Sequence, residues 1–278
     1  MADPPVALIA GAGALPGEVH AALRIAGREV AVFALRGQPP TDIPAENLTF
    51  FEVERLVPLF RSLQGRDVRD VVLAGAVRRP ALDPERMDPD TAQLLPDLLP
   101  AIHAGDDATL RAVIAQFEAA GFTIHGAGDL APALLAEDGA IAGPDPGEAD
   151  RGDADRAGAI VKALGRVDVG QAAVVAQGLC LAVEALPGTD AMLADLAPRA
   201  DTLRRDPAGA RGVLVKAPKP GQDRRADLPA IGPETVRGAA ACGLAGIVVE
   251  AGGVIILERA RTIAAAEAAG LFIRGRAP

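Results

Sequence analysis

Val6-Ala-Leu-Ile-Ala-Gly-Ala-Gly-Ala-Leu-Pro16 decides the fold. An apolar run ends in two glycines, and the residues to about Ala26 then read as a helix with Val19, Leu23 and Ile25 among its apolar positions. Glu29-Val-Ala-Val-Phe33 reads as a second buried strand. Strand, tight turn, helix, strand is the opening of a parallel sheet. Leu48–Val53, Asp70–Gly75 and Phe122–His125 extend it as three more strands, with a helical pattern from Ala108 to Ala120.

The turn Gly11-Ala-Gly-Ala-Leu-Pro16 is a chemical candidate as well as a structural one. Glycines let a ligand approach the backbone, and a helix N-terminus offers free N–H groups to phosphate. Gly11, Gly13, Leu15 and Pro16 are therefore candidate substrate contacts. The dinucleotide fingerprint is not met, because Pro16 stands in the third glycine's place and no acid ends the second strand. Arg36 lies just past that strand, a position that suits at best a 2′-phosphate. The alternative is a plain strand-to-helix turn with Pro16 in the first helical turn.

Composition narrows the class. Of 278 residues half are hydrophobic but only 3% aromatic, with seven Phe and neither Trp nor Tyr, so core filling falls to Val, Leu, Ile and Ala. The net charge of −9 argues against a nucleic-acid binder. No apolar run approaches the ~18 residues of a membrane span, and the start Met-Ala-Asp-Pro-Pro lacks a basic leader. Cys180 and Cys242 sit in apolar stretches and read as buried free thiols. The expectation is a cytoplasmic protein.

The fold expected is α/β, a Rossmann-like parallel-sheet domain over 1–135 followed by a mixed α/β domain over 158–278. Prolines, glycines and acids between 136 and 157 suggest a linker. In the second domain Gln171–Ala185 reads as a hairpin turning near Gln177-Gly178, and Asp190–Leu203 as helix. Val213–Val215 reads as a strand and Pro233–Cys242 as helix. A second hairpin over Ile247–Leu257 would turn at Gly252-Gly253, with a last helix over Thr262–Gly270.

The densest charge lies in Lys216-Ala-Pro-Lys-Pro-Gly-Gln-Asp-Arg-Arg-Ala-Asp-Leu-Pro-Ala-Ile-Gly232. Two lysines, two arginines and two aspartates fall between Lys216 and Asp227, and the prolines forbid a long helix or an uninterrupted strand. A stiff loop of mixed charge suits phosphate chemistry: cations meet the oxygens while a carboxylate holds a metal or a water. A solvated turn with surface ion pairs is the alternative. Arg78 and Arg79 after the fourth strand either face an anion or are solvated. Asp106 and Asp107 either cap a helix or hold a metal or a ribose hydroxyl. Glu184 interrupts an apolar strand and either faces solvent or serves a site. Thr189 or Asp190 reads as a helix cap. Leu94–Ile102 is a proline-broken apolar stretch that packs in the core, lines an acyl pocket or touches a membrane. The scattered His20, His103 and His125 support no zinc site, and G-x-S-x-G is absent.

Taken together, several segments resemble one bacterial family, the UDP-2,3-diacylglucosamine pyrophosphatases of the I type in lipid A biosynthesis. They are Leu8–Pro16, Gly105-Asp-Asp-Ala-Thr-Leu-Arg111, Gly165-Arg-Val-Asp-Val-Gly-Gln171, Gly178–Leu193 and Val213–Gly232, spread in order over most of the chain. The resemblance implies two α/β domains with the lipid substrate held between them. It implies Mg²⁺-dependent hydrolysis of UDP-2,3-diacylglucosamine to UMP and 2,3-diacylglucosamine 1-phosphate. For such a substrate, transient contact with the inner face of the membrane is the expectation, with meeting the lipid in solution left open. A homodimer is admitted too. Asp227 is implied as the essential acid. From charge placement, and not from the resemblance, Asp227 is also read as a metal ligand or water-orienting base with Asp190 and Glu184 nearby, and Lys216, Lys219 and Arg225 as cations for the phosphates, so that Asp190 and Lys216 join Asp227 as catalytic candidates. Gly11, Gly13, Leu15 and Pro16 fall on the nucleotide side. Asp106, Asp107, Gln171, Glu184, Gly188, Thr189, Lys219, Gln222 and Arg225 complete the expected substrate set. Pro187 departs from the acid expected there. Two rival functions are an NADP-dependent reductase using Arg36 and a non-hydrolytic nucleotide-sugar or lipid sensor.

Overall fold

A computed structural model describes residues 4–78, 82–104, 106–225 and 227–278, with the backbone alone for 104, 106 and 107. The chain forms two compact units, one of Met1–Pro132 with Asp223–Asp227 and one of Ala133–Gln222 with Leu228–Pro278.

The first unit runs β1 (Val6–Ala10), α1 (Leu15–Ile25), β2 (Val30–Leu35), β3 (Leu48–Phe51), α2 (Leu56–Gln64) and β4 (Asp70–Ala74). It continues through α3 (Pro89–Ala92), α4 (Leu95–Ala104), α5 (Asp106–Ala119), β5 (Thr123–His125) and α6 (Ala127–Leu130). The strands form one sheet in the order β3-β2-β1-β4-β5, every pair parallel. This is the Rossmann-like sheet expected, and its order reverses between β1 and β4. Ligands of open α/β sheets bind outside the carboxyl ends of strands at such a reversal.

The apolar runs of β1 and β4 are continuous because helices cover the sheet. Phe33, Leu59, Leu63, Ile114, Phe117 and Phe122 are among the side chains of the main cluster. Phe60 meets Phe117 edge-on at 4.9 Å and Phe122 at 6.0 Å between ring centroids. Three of the seven phenylalanines thus build one knot, which low aromatic content did not suggest. Leu94, Leu98 and Ile102 of the proline-broken stretch pack into this cluster. At the amino edge of the sheet Asp70 accepts from His125 at 2.9 Å and Arg28 at 3.0 Å. Burial works to raise the Asp70 carboxyl, but those two bonds and charges prevail and hold it below the usual range.

The second unit runs β6 (Gly139–Ala142), α7 (Glu148–Arg166), β7 (Ala172–Ala176), β8 (Leu179–Val183), α8 (Thr189–Leu196) and α9 (Ala200–Leu203). Then come β9 (Val213–Lys216), β10 (Ala230–Ile231), α10 (Pro233–Ala241), β11 (Gly246–Glu250), β12 (Ile255–Ile256), α11 (Arg259–Ala268) and β13 (Phe272–Arg276). Its main sheet has the order β6-β13-β11-β9-β7-β8. The three central strands are parallel, while β6, β7 and β8 pair antiparallel. Strand alternation sorts the side chains. Val174, Leu214, Ile247 and Ile273 pack with Leu193 and Leu196 of α8, Val236 of α10 and Ala266 of α11. Val175, Val213, Val215 and Val248 pack with Ala154, Ala157 and Val161 of α7.

Three readings need correction. Residues 136–157 are not a loose linker: they hold β6 and the first half of α7. Their acids have structural work, because Asp153 accepts from the N–H groups of Gln177 and Gly178 at 2.8 and 2.7 Å and so fixes the β7–β8 turn. Ile247–Leu257 is not a hairpin, because β11 lies between β9 and β13 while β12 pairs with β10 in a separate two-stranded sheet. Cys242 is buried as expected, but Cys180, on the edge strand β8, is exposed; both are free thiols.

The carboxyl ends of β1 and β4 meet backbone to backbone. Ala12 and Ala76 exchange N–H bonds at 2.8 and 2.9 Å. A Cβ on Gly75, at φ +95°, would lie 2.8 Å from the Ala12 carbonyl oxygen and the Pro16 ring, whereas one on Gly13, also at φ +95°, would meet open space. We predict that Gly13→Ala costs about 1–2 kcal/mol of unfolding free energy, the left-handed penalty alone. Gly75→Ala costs clearly more in a urea melt, and equal losses would contradict the crossing.

Candidate active site

In the second unit chemistry gathers at one sheet edge, where β9 and β11 end, β7 begins and β8 ends. The register puts Lys216 opposite Ala172 and Val249, and Val183 opposite Ala173. The Glu184 N–H bonds the Ala172 carbonyl at 2.8 Å, and the Ala217 N–H bonds the Gln171 carbonyl at 3.0 Å. Strand β9 delivers Lys216 here because Val213, Leu214 and Val215 are buried and Pro218 forbids its regular extension.

Lys216 is a buried cation. Its Nζ donates to Thr189 Oγ1 at 2.6 Å, and Thr189 Oγ1 donates to Glu184 Oε2 at 2.5 Å. The two charges are themselves 3.9 Å apart. The hydroxyl thus joins an ammonium to a carboxylate, which holds a charge in a place where burial alone would expel it. Glu184 is just beyond β8, committed to this chain rather than facing solvent. Gly188, at φ 89°, is the residue before α8. Thr189 and Asp190 therefore stand in the first turn instead of capping it, and a carboxylate there complements the helix dipole. Asp190 accepts from Thr235 Oγ1 of α10 at 3.3 Å. Lys219 pairs with Asp168 at 2.5 Å, and its N–H bonds Gln222 Oε1 at 2.9 Å.

The segment 223–227 groups with the first unit. Arg225 grips Asp223 through Nε at 3.0 Å and Nη2 at 2.7 Å, and Glu118 of α5 through Nη1 at 2.7 Å. Those bonds from Arg225 hold the Asp223 carboxyl below its usual range. Asp223 Oδ1 also takes the Arg225 N–H at 3.0 Å, which folds the segment into a tight turn. Asp227 is exposed. Gly126 lies against this turn: a Cβ there would sit 3.1 Å from the Arg224 carbonyl oxygen.

Gly11, Gly13, Leu15 and Pro16 follow β1 directly, as expected, and the strand order puts that strand end at the reversal of the first sheet. Gly11 is explained by packing, since a Cβ would come 2.5 Å from the Ala76 carbonyl oxygen, while Gly13 faces open space. Arg78 exchanges bonds with Gln38 through its backbone. Arg79, Gly105 and the side chains of Asp106 and Asp107 lie outside the described residues. Arg36, the candidate for a cofactor phosphate, pairs with Glu52 at 3.0 Å and covers the Phe50 ring.

The proposed site residues thus form two sets. Gly11–Pro16, Arg225 and Asp227 belong to the first unit, and Gln171, Glu184, Gly188, Thr189, Asp190, Lys216, Lys219 and Gln222 to the second. Residues 5–134 match the family model described as the LpxI N-terminal domain, and residues 137–274 the LpxI C-terminal domain. The chain is also 42% identical over 274 residues to UDP-2,3-diacylglucosamine pyrophosphatase LpxI of Caulobacter vibrioides, covering 98% of this chain and 97% of that protein. The chain belongs to the LpxI family. Sequence reading missed some partners in this LpxI chain: Thr235, Glu118 and Asp168. Asp168 alone left a signal, as an aspartate just past a helix end, where φ is 56°.

Beside the reversal, Glu18 of α1 faces Asp42 of the loop after β2. Partial burial first, and the Asp42 charge second, push the Glu18 carboxyl up to about 7. A raised acid favours folding while protonated, so its cost appears as pH rises from the unfolded value of 4.5 to about 7. Glu18→Gln removes that cost. Its melting temperature should exceed the wild type's at pH ~8 and match it near pH ~4, where the acid is protonated in both states. A shift of the same size at both would refute the raised acid.

Proposed function

We infer that this chain hydrolyses the diphosphate of UDP-2,3-diacylglucosamine to UMP and 2,3-diacylglucosamine 1-phosphate, a step of lipid A biosynthesis. The observation that carries this reading is likeness over nearly the full length, in both domains, to a curated enzyme of that name. The Lys216 edge supplies the chemistry the reaction asks of a protein. A diphosphate gains charge on its oxygens as the P–O bond breaks, and a cation fixed in advance stabilises that charge without reorganising. Lys216 is such a cation, oriented by Thr189 and balanced by Glu184. The first turn of α8 adds backbone N–H groups and a positive dipole end.

Asp227 is proposed as the essential carboxylate. It is exposed, next to a turn tied down by Asp223, Arg225 and Glu118. Among the described residues no three His, Cys, Asp or Glu gather as a metal cage. Mg²⁺ is usually held by one or two carboxylates together with substrate phosphates. Asp227 would be the protein's ligand, and the ion would supply neutralisation of the diphosphate and a more acidic water. Within the second unit the protein's own part is then to receive developing charge at Lys216, with Lys219 a second cation three residues past the same strand.

The test is incubation with UDP-2,3-diacylglucosamine, with Mg²⁺ and with EDTA, following UMP and the sugar phosphate. We expect EDTA to stop release. Asp227→Ala should lose about 10²–10³ in kcat with its melting temperature unchanged, because the side chain is exposed. Full activity in that variant defeats the assignment, and binding without release in the wild type would make the protein a sensor.

A further inference from the structure

We propose that the Lys216 edge of the second unit docks on an anionic lipid bilayer through two adjacent loop tips, with Val167 and Val169 on one and Val183 and Leu186 on the other. The proposal rests on the lipid-linked substrate inferred above. Leu186 is 93% exposed, Val167 70%, Val169 42% and Val183 40%. These are large aliphatic side chains held out from the fold. The first tip is the end of α7, where the Asp168 and Val169 N–H groups close back on the Gly165 and Leu164 carbonyls. Asp168 takes up φ 56°, so the turn is tight. The second is the turn in which the Gly188 N–H bonds the Ala185 carbonyl. The tips touch: a Cβ on Gly170 would lie 2.1 Å from the Glu184 carbonyl oxygen. Exposed apolar side chains concentrated at one edge mark an interaction surface.

Charge identifies the occupant. The acids of α7, Glu148, Asp150, Asp153 and Asp155, all lie in its first half, whereas Ala157–Arg166 carries Lys162 and Arg166 and no acid. Both cations are exposed, four residues apart, and neither has an ion pair among the described residues. Of the neighbouring acids, Asp168 pairs with Lys219 and Glu184 with Lys216, while Asp190, exposed in the first turn of α8, accepts from the Thr235 hydroxyl. A chain of net charge −9 thus presents at this edge apolar tips flanked by unneutralised cations. Aliphatic tips that enter the headgroup layer, with basic residues behind them, are the chemistry of an anionic bilayer surface. Docked so, the Lys216 edge meets a lipid-linked diphosphate at the depth of its headgroup.

The test is sedimentation with large vesicles of phosphatidylglycerol and phosphatidylethanolamine, or of phosphatidylcholine, without turnover. The wild type should bind the anionic vesicles more tightly and weaken with salt. The double variant Val167→Asp with Leu186→Asp should bind about tenfold or more weakly, and Lys162→Gln with Arg166→Gln about fivefold more weakly per charge removed. Both should keep wild-type kcat/KM on detergent-dispersed substrate and lose it on substrate embedded in vesicles. Equal binding to both vesicle types, or undiminished binding by both double variants, overturns the proposal. So does a change of oligomeric state in the aspartate variant, which would make the tips a seam between copies. A wild type that binds vesicles but hydrolyses nothing in detergent supports the docking surface and defeats the proposed function instead.

Discussion

The hydrogen-bond chain from Lys216 through Thr189 to Glu184 is the constraint on which the second unit's chemistry depends. A buried ammonium is costly unless it is met by hydrogen bonds and a countercharge. Here the answer comes from three elements at once: β9 brings the lysine, the first turn of α8 the hydroxyl, and the residue after β8 the carboxylate. Each is placed by ordinary packing. Leu214 of β9 and Leu193 of α8 lie in one apolar cluster, and the β7–β8 turn is fixed by Asp153. The site edge is therefore a consequence of the core beneath it. The same edge carries the apolar tips and cations proposed to dock on a bilayer, beside the lysine proposed to receive charge from the diphosphate.

The first unit solves a different problem. Its sheet reverses order between β1 and β4, and both strands end in glycine so that two backbones can cross. The crossing explains Gly11 and Gly75 without any ligand, while Gly13 is left facing open space. The turn 223–227, which the charged loop contributes to this unit, is held by a guanidinium shared between Asp223 and Glu118. Within one loop the charges thus divide their work: Arg225 fastens the backbone and Asp227 remains exposed.

What was legible in the sequence follows from range. The β1–turn–α1–β2 opening needs only local pattern, and a five-strand parallel sheet follows from repeating it. The Gln177-Gly178 turn was equally readable, because both residues take positive φ, at 53° and 76°, as a two-residue hairpin requires. The failures lie where partners are remote. Two apolar runs around Gly252-Gly253 look like a hairpin, yet β11 and β12 enter different sheets because β13, beyond a further helix, takes the place beside β11. Acids and glycines at 136–157 look like a linker because the bonds that use them, from Asp153 to Gln177 and from Asp155 to Arg276, reach far along the chain. The site was read as a set of charged and polar residues. Their linkage was not, since the Thr189 hydroxyl leaves no pattern that distinguishes a relay from a helix cap.

The most direct measurement is the rate of UMP release by Lys216→Met in the presence of Mg²⁺, with circular dichroism to confirm the fold. The account predicts a folded protein slowed by about 10²–10³, because an apolar chain of similar length fills the space but cannot receive charge from the breaking diphosphate. A folded variant that releases UMP at the wild-type rate would contradict it.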